Sequence, residues 1–184
     1  MNLGGGRFEE ADVIDFVSLA LKKRFGDENW ILSYRNENIY LDRNAASRHN
    51  INFDELARAA ADAAITLPQF AAAYTAGDLK ANRFGSDAIS QRISRSYFAG
   101  RTGDVFLVRK PYYVKSPDTA GHGTPYSYDT NVPVIFWESR FVSGRYSSEA
   151  SPADIAPTLA SILHITRPSV AVGRVLAEAL KPRF

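Results

Sequence analysis

The sequence predicts an α/β fold in two parts: an α+β subdomain over residues 9–114, then a loop, a strand and helices over residues 115–184. Two observations lead to this prediction. In the first part, segments with the 3.6-residue spacing of helices alternate with short runs of β-branched and aromatic residues. After it comes a segment rich in Gly, Pro, Ser, Thr and Tyr that has no period. Residues 1–8 contain three consecutive glycines and are predicted to be a flexible start.

The subdomain is predicted to run in the order α-β-β-α-β-α-β, which gives a compact α+β unit. Its elements are, in chain order, a helix over 9–25, strands over 30–34 and 39–41, a helix over 53–66, a strand over 70–75, a helix over 86–98 and a strand over 104–113.

Capping residues and apolar stripes define the first two helices. Apolar residues recur at i, i+3, i+4 and i+7 over 9–25, and Gly26 follows a basic last turn that suits the negative end of the helix dipole. Asn52 can cap the second helix, with Glu55 three residues on as in a capping box. The alanine-rich face of this helix permits close packing on a sheet.

The strands are predicted from β-favouring side chains and from turn chemistry. The runs 30–34 and 39–41 flank a polar hairpin connection that contains asparagine. The run 104–113 has the strongest β propensity, through its valines and Phe106.

The second part is predicted to begin with a long functional loop over 116–129, because this segment holds aromatic residues and a histidine. A short apolar run over 132–137 is consistent with a buried strand. Ser151 is predicted to cap a helix that has Pro152 at its first position. A final short helix is predicted over 173–180.

Composition excludes several classes of protein. The net charge of +2, from 22 basic and 20 acidic residues, is too balanced to predict a nucleic-acid duplex as partner. With no cysteine, neither a disulfide framework nor a thiolate zinc site can form. No apolar run approaches the roughly 20 residues of a membrane-spanning helix, and the N-terminus has no apolar signal region. The sequence therefore predicts no membrane partner.

The most informative feature is the run from Gly121 to Asp129, which places His122 in a glycine-flanked turn. Glycine on either side lets the backbone bend and approach a site closely. A neutral imidazole is a common zinc ligand. By composition alone, a lone histidine in a loop is more often a surface residue, so both interpretations stay open at this point.

This run, Gly-His-Gly-Thr-Pro-Tyr-Ser-Tyr-Asp, resembles the C-terminal metal-ligand motif of the alkaline phosphatase superfamily. It is most similar to the branch of zinc phosphomonoesterases and type I phosphodiesterase–nucleotide pyrophosphatases. A second segment, Ser151 to Leu163, resembles the helix with Asp-Ile-Ala-Pro-Thr-Leu-Ala that follows the histidine strand in these enzymes. The resemblance covers nearly the whole chain, and it implies a partial fold: the C-terminal strand and helices of an alkaline phosphatase-like core.

The resemblance implies that His122 is a metal ligand of a parent enzyme that binds two Zn²⁺ ions. The superfamily also needs a Thr or Ser nucleophile, an N-terminal aspartate, an Asp-x-x-x-His pair and an Asp-His pair. None of these has a counterpart here, and His49 and His164 lack a partner at the required spacing. We therefore predict no catalytic residue in this chain, an incomplete zinc site and no phosphatase activity of the isolated chain.

Three other residues receive structural or supporting roles. Asp129 is predicted either to orient His122 or its loop through hydrogen bonds, or to form an Asx-type turn. Asp154 is predicted to be a helix N-terminal charge, and His164 a residue that suits a helix C-terminus.

The chain is thus predicted to be the C-terminal segment of a zinc-dependent phosphoric ester hydrolase, either a phosphatase or a phosphodiesterase. Its partner would be the missing N-terminal part of the enzyme, and the parent would be periplasmic or secreted. The alternative is a non-catalytic binding or interaction module derived from the same fold. The strand over 132–137 would leave an exposed sheet edge, which also suggests a homodimer that pairs this edge with its copy.

Overall fold

A computed structural model of the chain describes residues 4–182, and its contacts divide the chain into two units. The first unit runs to Thr130 and the second begins at Asn131. The predicted boundary after residue 114 therefore lies too early. The loop that follows residue 114 belongs to the first unit, because its side chains and carbonyls bond to the sheet there, as described below.

Within the described residues, the first unit contains six strands and six helices. The strands are β1 (Gly6–Phe8), β2 (Ile31–Arg35), β3 (Asn38–Leu41), β4 (Phe70–Thr75), β5 (Val105–Arg109) and β6 (Tyr113–Lys115). The helices are α1 (Glu10–Phe25), α2 (Arg43–Arg48), α3 (Phe53–Ala64), α4 (Ala76–Lys80), α5 (Ala88–Ser96) and α6 (Ser127–Thr130). The second unit contains α7 (Ile155–Leu163) and two short 3₁₀ turns, Pro152–Asp154 and Ala177–Ala179.

Four strands form an antiparallel sheet in the order β2-β3-β5-β4. The hairpin between β2 and β3 turns at Asn36 and Glu37, whose φ angles are +48° and +59°. Both residues therefore occupy the left-handed region that a two-residue hairpin turn requires. The Asn-containing connection was predicted correctly.

The core of the first unit lies between this sheet and helices α1 and α3, which pack against each other and against the strands. The face of α3 is built mainly from alanines, and Leu56, Ala60 and Ala64 are fully buried. Small side chains let the helix backbone approach the strands closely. Trp30 and Phe70, each 1% exposed, supply the largest buried side chains.

The predicted caps of α1 and α3 are present. Gly26 follows α1 with φ +102°, and its amide donates to the Lys22 carbonyl. The Asn52 side chain accepts hydrogen bonds from the amides of Asp54 and Glu55. The Glu55 carboxylate pairs with Arg24 at 2.7 Å, so the second half of the predicted capping box is replaced by an ion pair between two helices.

Two predictions at the ends of the first unit are wrong. Residues 6–8 form β1, which pairs in parallel with β6, so they are not a flexible start; residues 1–3 of that predicted segment lie outside the described residues. The strand predicted over 104–113 ends at Arg109, because a turn with Tyr112 at φ +63° separates β5 from β6.

Three short helices were missed, α2, α4 and α6, and the first two begin at a side-chain cap. The Asp42 carboxylate caps α2 by accepting from the amides of Asn44 and Ala45. Thr75 caps α4 in a reciprocal box with Asp78. Helices this short carry too few turns to produce a helical period in the sequence.

The second unit departs most from prediction. Residues 132–137 form no strand, and three of their apolar side chains are exposed: Val132 is 59%, Ile135 81% and Trp137 99% exposed. A strand forms only where another strand supplies hydrogen-bond partners, and no strand of this unit lies beside these residues in the part of the chain that is described. The homodimer predicted through a sheet edge therefore has no edge strand to pair.

The start of α7 agrees with prediction. Ser151 and Asp154 form a reciprocal capping box, and Pro152 occupies the first turn. Asp154 is buried and also accepts from the Arg174 amide at 2.7 Å, which is the main cause of its lowered pKa, followed by the Ser151 amide. The helix predicted over 173–180 is only the 3₁₀ turn Ala177–Ala179.

No helix among residues 4–182 combines the length and the apolar character that crossing a membrane requires.

We predict that Leu56→Ala lowers the free energy of unfolding by about 2–5 kcal/mol, because truncating this fully buried side chain leaves a cavity in the core. Leu19 on α1 is 69% exposed, so Leu19→Ala serves as the matched control and should change stability by less than about 0.5 kcal/mol. Urea unfolding followed by circular dichroism measures both. Equal losses for the two variants would contradict the described core.

Candidate functional site

His122 lies in an irregular segment between β6 and α6, and its side chain is exposed to solvent. Gly123 beside it has φ +93°, a conformation that residues with a side chain rarely adopt. The bend at this position therefore depends on glycine at 123, whereas Gly121, on the other side of His122, has no positive φ. An exposed imidazole on such a bend is accessible to a metal or a partner.

The Asp129 carboxylate bonds to the backbone and side chain of its own loop, and it makes no bond to the imidazole of His122. The carboxylate accepts hydrogen bonds from the Thr124 amide at 2.8 Å and from the Thr124 hydroxyl at 2.5 Å. Of the two predicted roles for Asp129, the structure therefore supports ordering of the loop, and it shows no bond to His122. Thr124 is 8% exposed, so this contact is shielded from water.

The tyrosines of the run pack together and connect the loop to the sheet. The rings of Tyr126 and Tyr128 stack with centroids 5.8 Å apart, and Tyr112 stacks on Tyr128 at 4.9 Å. The Tyr126 hydroxyl donates to the Arg109 carbonyl at 2.8 Å, at the end of β5. Burial, and secondarily the neighbouring Tyr128, raises the pKa of Tyr126.

Two arginines hold loop carbonyls, and sequence reasoning missed both. Arg109 Nη2 donates to the His122 carbonyl at 3.1 Å, and Arg92 Nη1 on α5 donates to the Pro125 carbonyl at 2.5 Å. A signal for Arg109 was present in the sequence. It is the one charged residue among Val105–Arg109, directly after an apolar run that predicts burial.

The other histidines lie elsewhere. His49 Nε2 is 3.2 Å from a carboxylate oxygen of Glu28, and its ring packs edge-on to Trp30. His164 follows α7 with φ +56°, and its amide donates to the Ala160 carbonyl. His164 therefore ends the helix through a left-handed cap, in agreement with a structural role.

Among residues 4–182, no group of three or more His, Asp or Glu side chains is arranged to hold a metal ion. The donor type and accessibility of His122 suit zinc, which takes neutral imidazole nitrogen. One donor is fewer than the three protein ligands of a catalytic zinc site. The role of His122 as a metal ligand stays a prediction.

No protein-family model matches the chain. Among curated proteins, alkaline phosphatase PafA of Elizabethkingia meningoseptica is 26% identical over 166 residues, which is 89% of this chain and 30% of PafA. Alkaline phosphatase PhoV of Synechococcus elongatus is 35% identical over 95 residues, which is 50% of this chain and 17% of PhoV. A calcium-transporting ATPase of Myroides odoratus is 25% identical over 179 residues, covering 96% of this chain and 32% of that protein.

The chain also resembles solved structures. The crystal structure of wild-type alkaline phosphatase PafA matches with a TM-score of 0.83 at 24% identity, over 95% of this chain and 34% of PafA. A mutant of PafA matches equally well, with a TM-score of 0.83 at 25% identity. The chain thus spans about a third of the length of PafA. The match confirms the predicted α/β class and is consistent with a partial fold.

We predict that Asp129→Asn speeds hydrogen exchange of the Thr124 amide about tenfold. The substitution removes the charge from two hydrogen bonds, and bonds to charged groups contribute about 1.5–3 kcal/mol. Nuclear magnetic resonance of the labelled chain measures the exchange rate. Asp62→Asn changes an exposed carboxylate on α3 and is the control. An unchanged rate for Thr124 would show that Asp129 does not order the loop.

Proposed function

We propose that this chain, which is related to the alkaline phosphatase superfamily, is the C-terminal segment of a longer, zinc-dependent phosphoric ester hydrolase. The observation that carries the proposal is the match to PafA over 95% of this chain and only 34% of PafA. A phosphatase-type hydrolase origin follows from the relatives, four of which are named alkaline phosphatases. The assignment to zinc and to this segment of the enzyme is our proposal.

In this proposal His122 contributes one imidazole to a zinc ion of the complete enzyme. Zinc would supply Lewis-acid stabilisation of the charge that develops on phosphoryl oxygens. The chain's own part is to present a neutral nitrogen donor on a loop held by Asp129, Tyr126 and Arg109. The nucleophile and the other ligands would come from the remainder of the enzyme, and the substrate would be a phosphate ester.

The apolar surface of the second unit supports a partner of this kind. Several large apolar side chains there are more than half exposed: Val132, Ile135, Trp137, Leu163, Ile165, Val170 and Val172. Exposed apolar groups of this density usually mark a surface that another protein part covers. We propose that the remaining two-thirds of the enzyme covers them. Export to the periplasm or the cell exterior is part of the same proposal.

We predict that His122→Ala weakens zinc binding by the complete enzyme at least tenfold. The rate of nitrophenyl phosphate hydrolysis should fall by a similar factor. His49→Ala is the control, because His49 contacts Glu28 and Trp30 away from the loop. Calorimetry with zinc measures the affinity. The isolated chain should bind no zinc tightly. Tight, stoichiometric binding by the isolated chain that His122→Ala abolishes would overturn the segment proposal.

A second test concerns the exposed surface. Adding the separately produced remainder of the enzyme should shift the fluorescence of this chain to shorter wavelength, because Trp137 is 99% exposed and would become covered. The shift should vanish in Trp137→Phe, whereas Trp30 is already buried and should not respond. No shift, together with a dimer of the chain in size-exclusion chromatography, would support self-association instead. Failure to restore hydrolysis would favour the non-catalytic module.

A further inference from the structure

Arg109 is a buried cation at the end of a strand. It is 7% exposed, and its neighbours Leu107 and Val108 on β5 are buried apolar residues. A guanidinium in such surroundings is destabilising unless it is paired with an anion and its donors are satisfied. The contacts of this side chain therefore show which parts of the structure hold it in place.

All three nitrogens of the Arg109 side chain have partners. Nε lies 3.0 Å from a carboxylate oxygen of Glu37. Nη1 donates to the Tyr113 carbonyl at 3.2 Å, and Nη2 donates to the His122 carbonyl at 3.1 Å. The planar guanidinium thus joins three segments at one point: a hairpin turn, the start of β6, and the loop between β6 and α6 that carries His122, called the histidine loop below.

The backbone of Glu37 is itself bonded to the sheet. It occupies the left-handed turn between β2 and β3, and its carbonyl accepts from the Leu107 amide at 2.7 Å. Burial raises the pKa of Glu37, and the charges of Arg109 and Lys115 oppose that rise. The sheet therefore presents an anchored carboxylate to the guanidinium.

The histidine loop meets Arg109 at two places. The side chain holds the carbonyl of His122, and the Arg109 carbonyl accepts from the Tyr126 hydroxyl at 2.8 Å. Between these points the loop contains Gly123 and the Thr124 contact to Asp129. The backbone of His122 is thereby held while its side chain stays exposed.

We propose that Arg109 is the positioning residue of His122: its guanidinium, anchored by Glu37, holds the histidine backbone while the imidazole stays exposed, as a ligand for zinc would require. This inference rests on the proposed function for the role of the imidazole. The hydrogen-bonded geometry itself does not depend on it. Lysine cannot replace arginine here, because an ammonium on a flexible stem cannot serve three partners in one plane.

The first test uses the chain itself, without metal. Arg109→Lys keeps the charge and should speed exchange of the Thr124 amide, which donates to Asp129, by about tenfold or more, as expected when a charge-assisted bond that orders the loop is lost. Amides of α3 should keep their rates. Arg58→Lys is the matched control, because Arg58 pairs with Asp78 elsewhere in the same unit. A uniform rise across the unit would indicate a purely structural role and overturn the proposal.

A second variant keeps the test decisive if Arg109→Lys does not fold. Glu37→Gln removes the anchoring charge and leaves the arginine in place. It should also speed exchange of the Thr124 amide, by a smaller factor. Unchanged rates in this variant would contradict the proposed anchoring.

The third measurement separates this inference from the proposed function. In the complete enzyme, Arg109→Lys should weaken zinc binding by roughly 10–100-fold, the usual effect of losing a group that orients a ligand. If His122→Ala leaves zinc affinity unchanged, the proposed function fails, and the exchange rates still decide the role of Arg109. If exchange responds to Arg109→Lys and zinc affinity does not, the loop is ordered by Arg109 without consequence for the metal, and the positioning role is wrong.

Discussion

The first unit depends on how it accommodates one buried positive charge, that of Arg109. An unpaired guanidinium at 7% exposure would be strongly destabilising, so its donors must find acceptors. Those acceptors come from a hairpin turn, the start of β6 and the loop after it. The need to satisfy one side chain therefore sets the relative positions of segments that are far apart in sequence. It also explains why the loop belongs to the first unit.

Around this point the first unit builds an ordinary apolar core. The alanines of α3 let that helix lie close to β4 and β5, and Trp30 and Phe70 fill the space between helices and sheet. Among the described residues before Thr130, buried large apolar residues outnumber exposed ones. The second unit behaves differently, because residues such as Trp137 and Val172 stay exposed. This contrast fits the proposal that other parts of a longer enzyme cover the second unit.

Long, periodic or well-capped elements were predictable from sequence. Helices α1 and α3, the β2–β3 hairpin, β4 and the start of α7 lie where their spacing and their caps at Asn52 and Ser151 place them. Short elements were not. Strand β1 has three residues and exists only because β6 lies beside it, and α2 and α4 are too short to show a period. In the site, the glycine-dependent bend at His122 was predictable, whereas the contacts of Arg109 were not.

The sequence by itself determined the local chemistry: the caps, the apolar stripes and the run from Gly121 to Asp129 that carries the family resemblance. These features depend on neighbours within a few residues, so spacing reveals them. Tertiary structure alone decided that 132–137 forms no strand and that Arg109 joins Glu37 to His122. Strand pairing and the burial of a charge both depend on partners that are distant in the chain, and residue spacing carries no information about which distant groups meet.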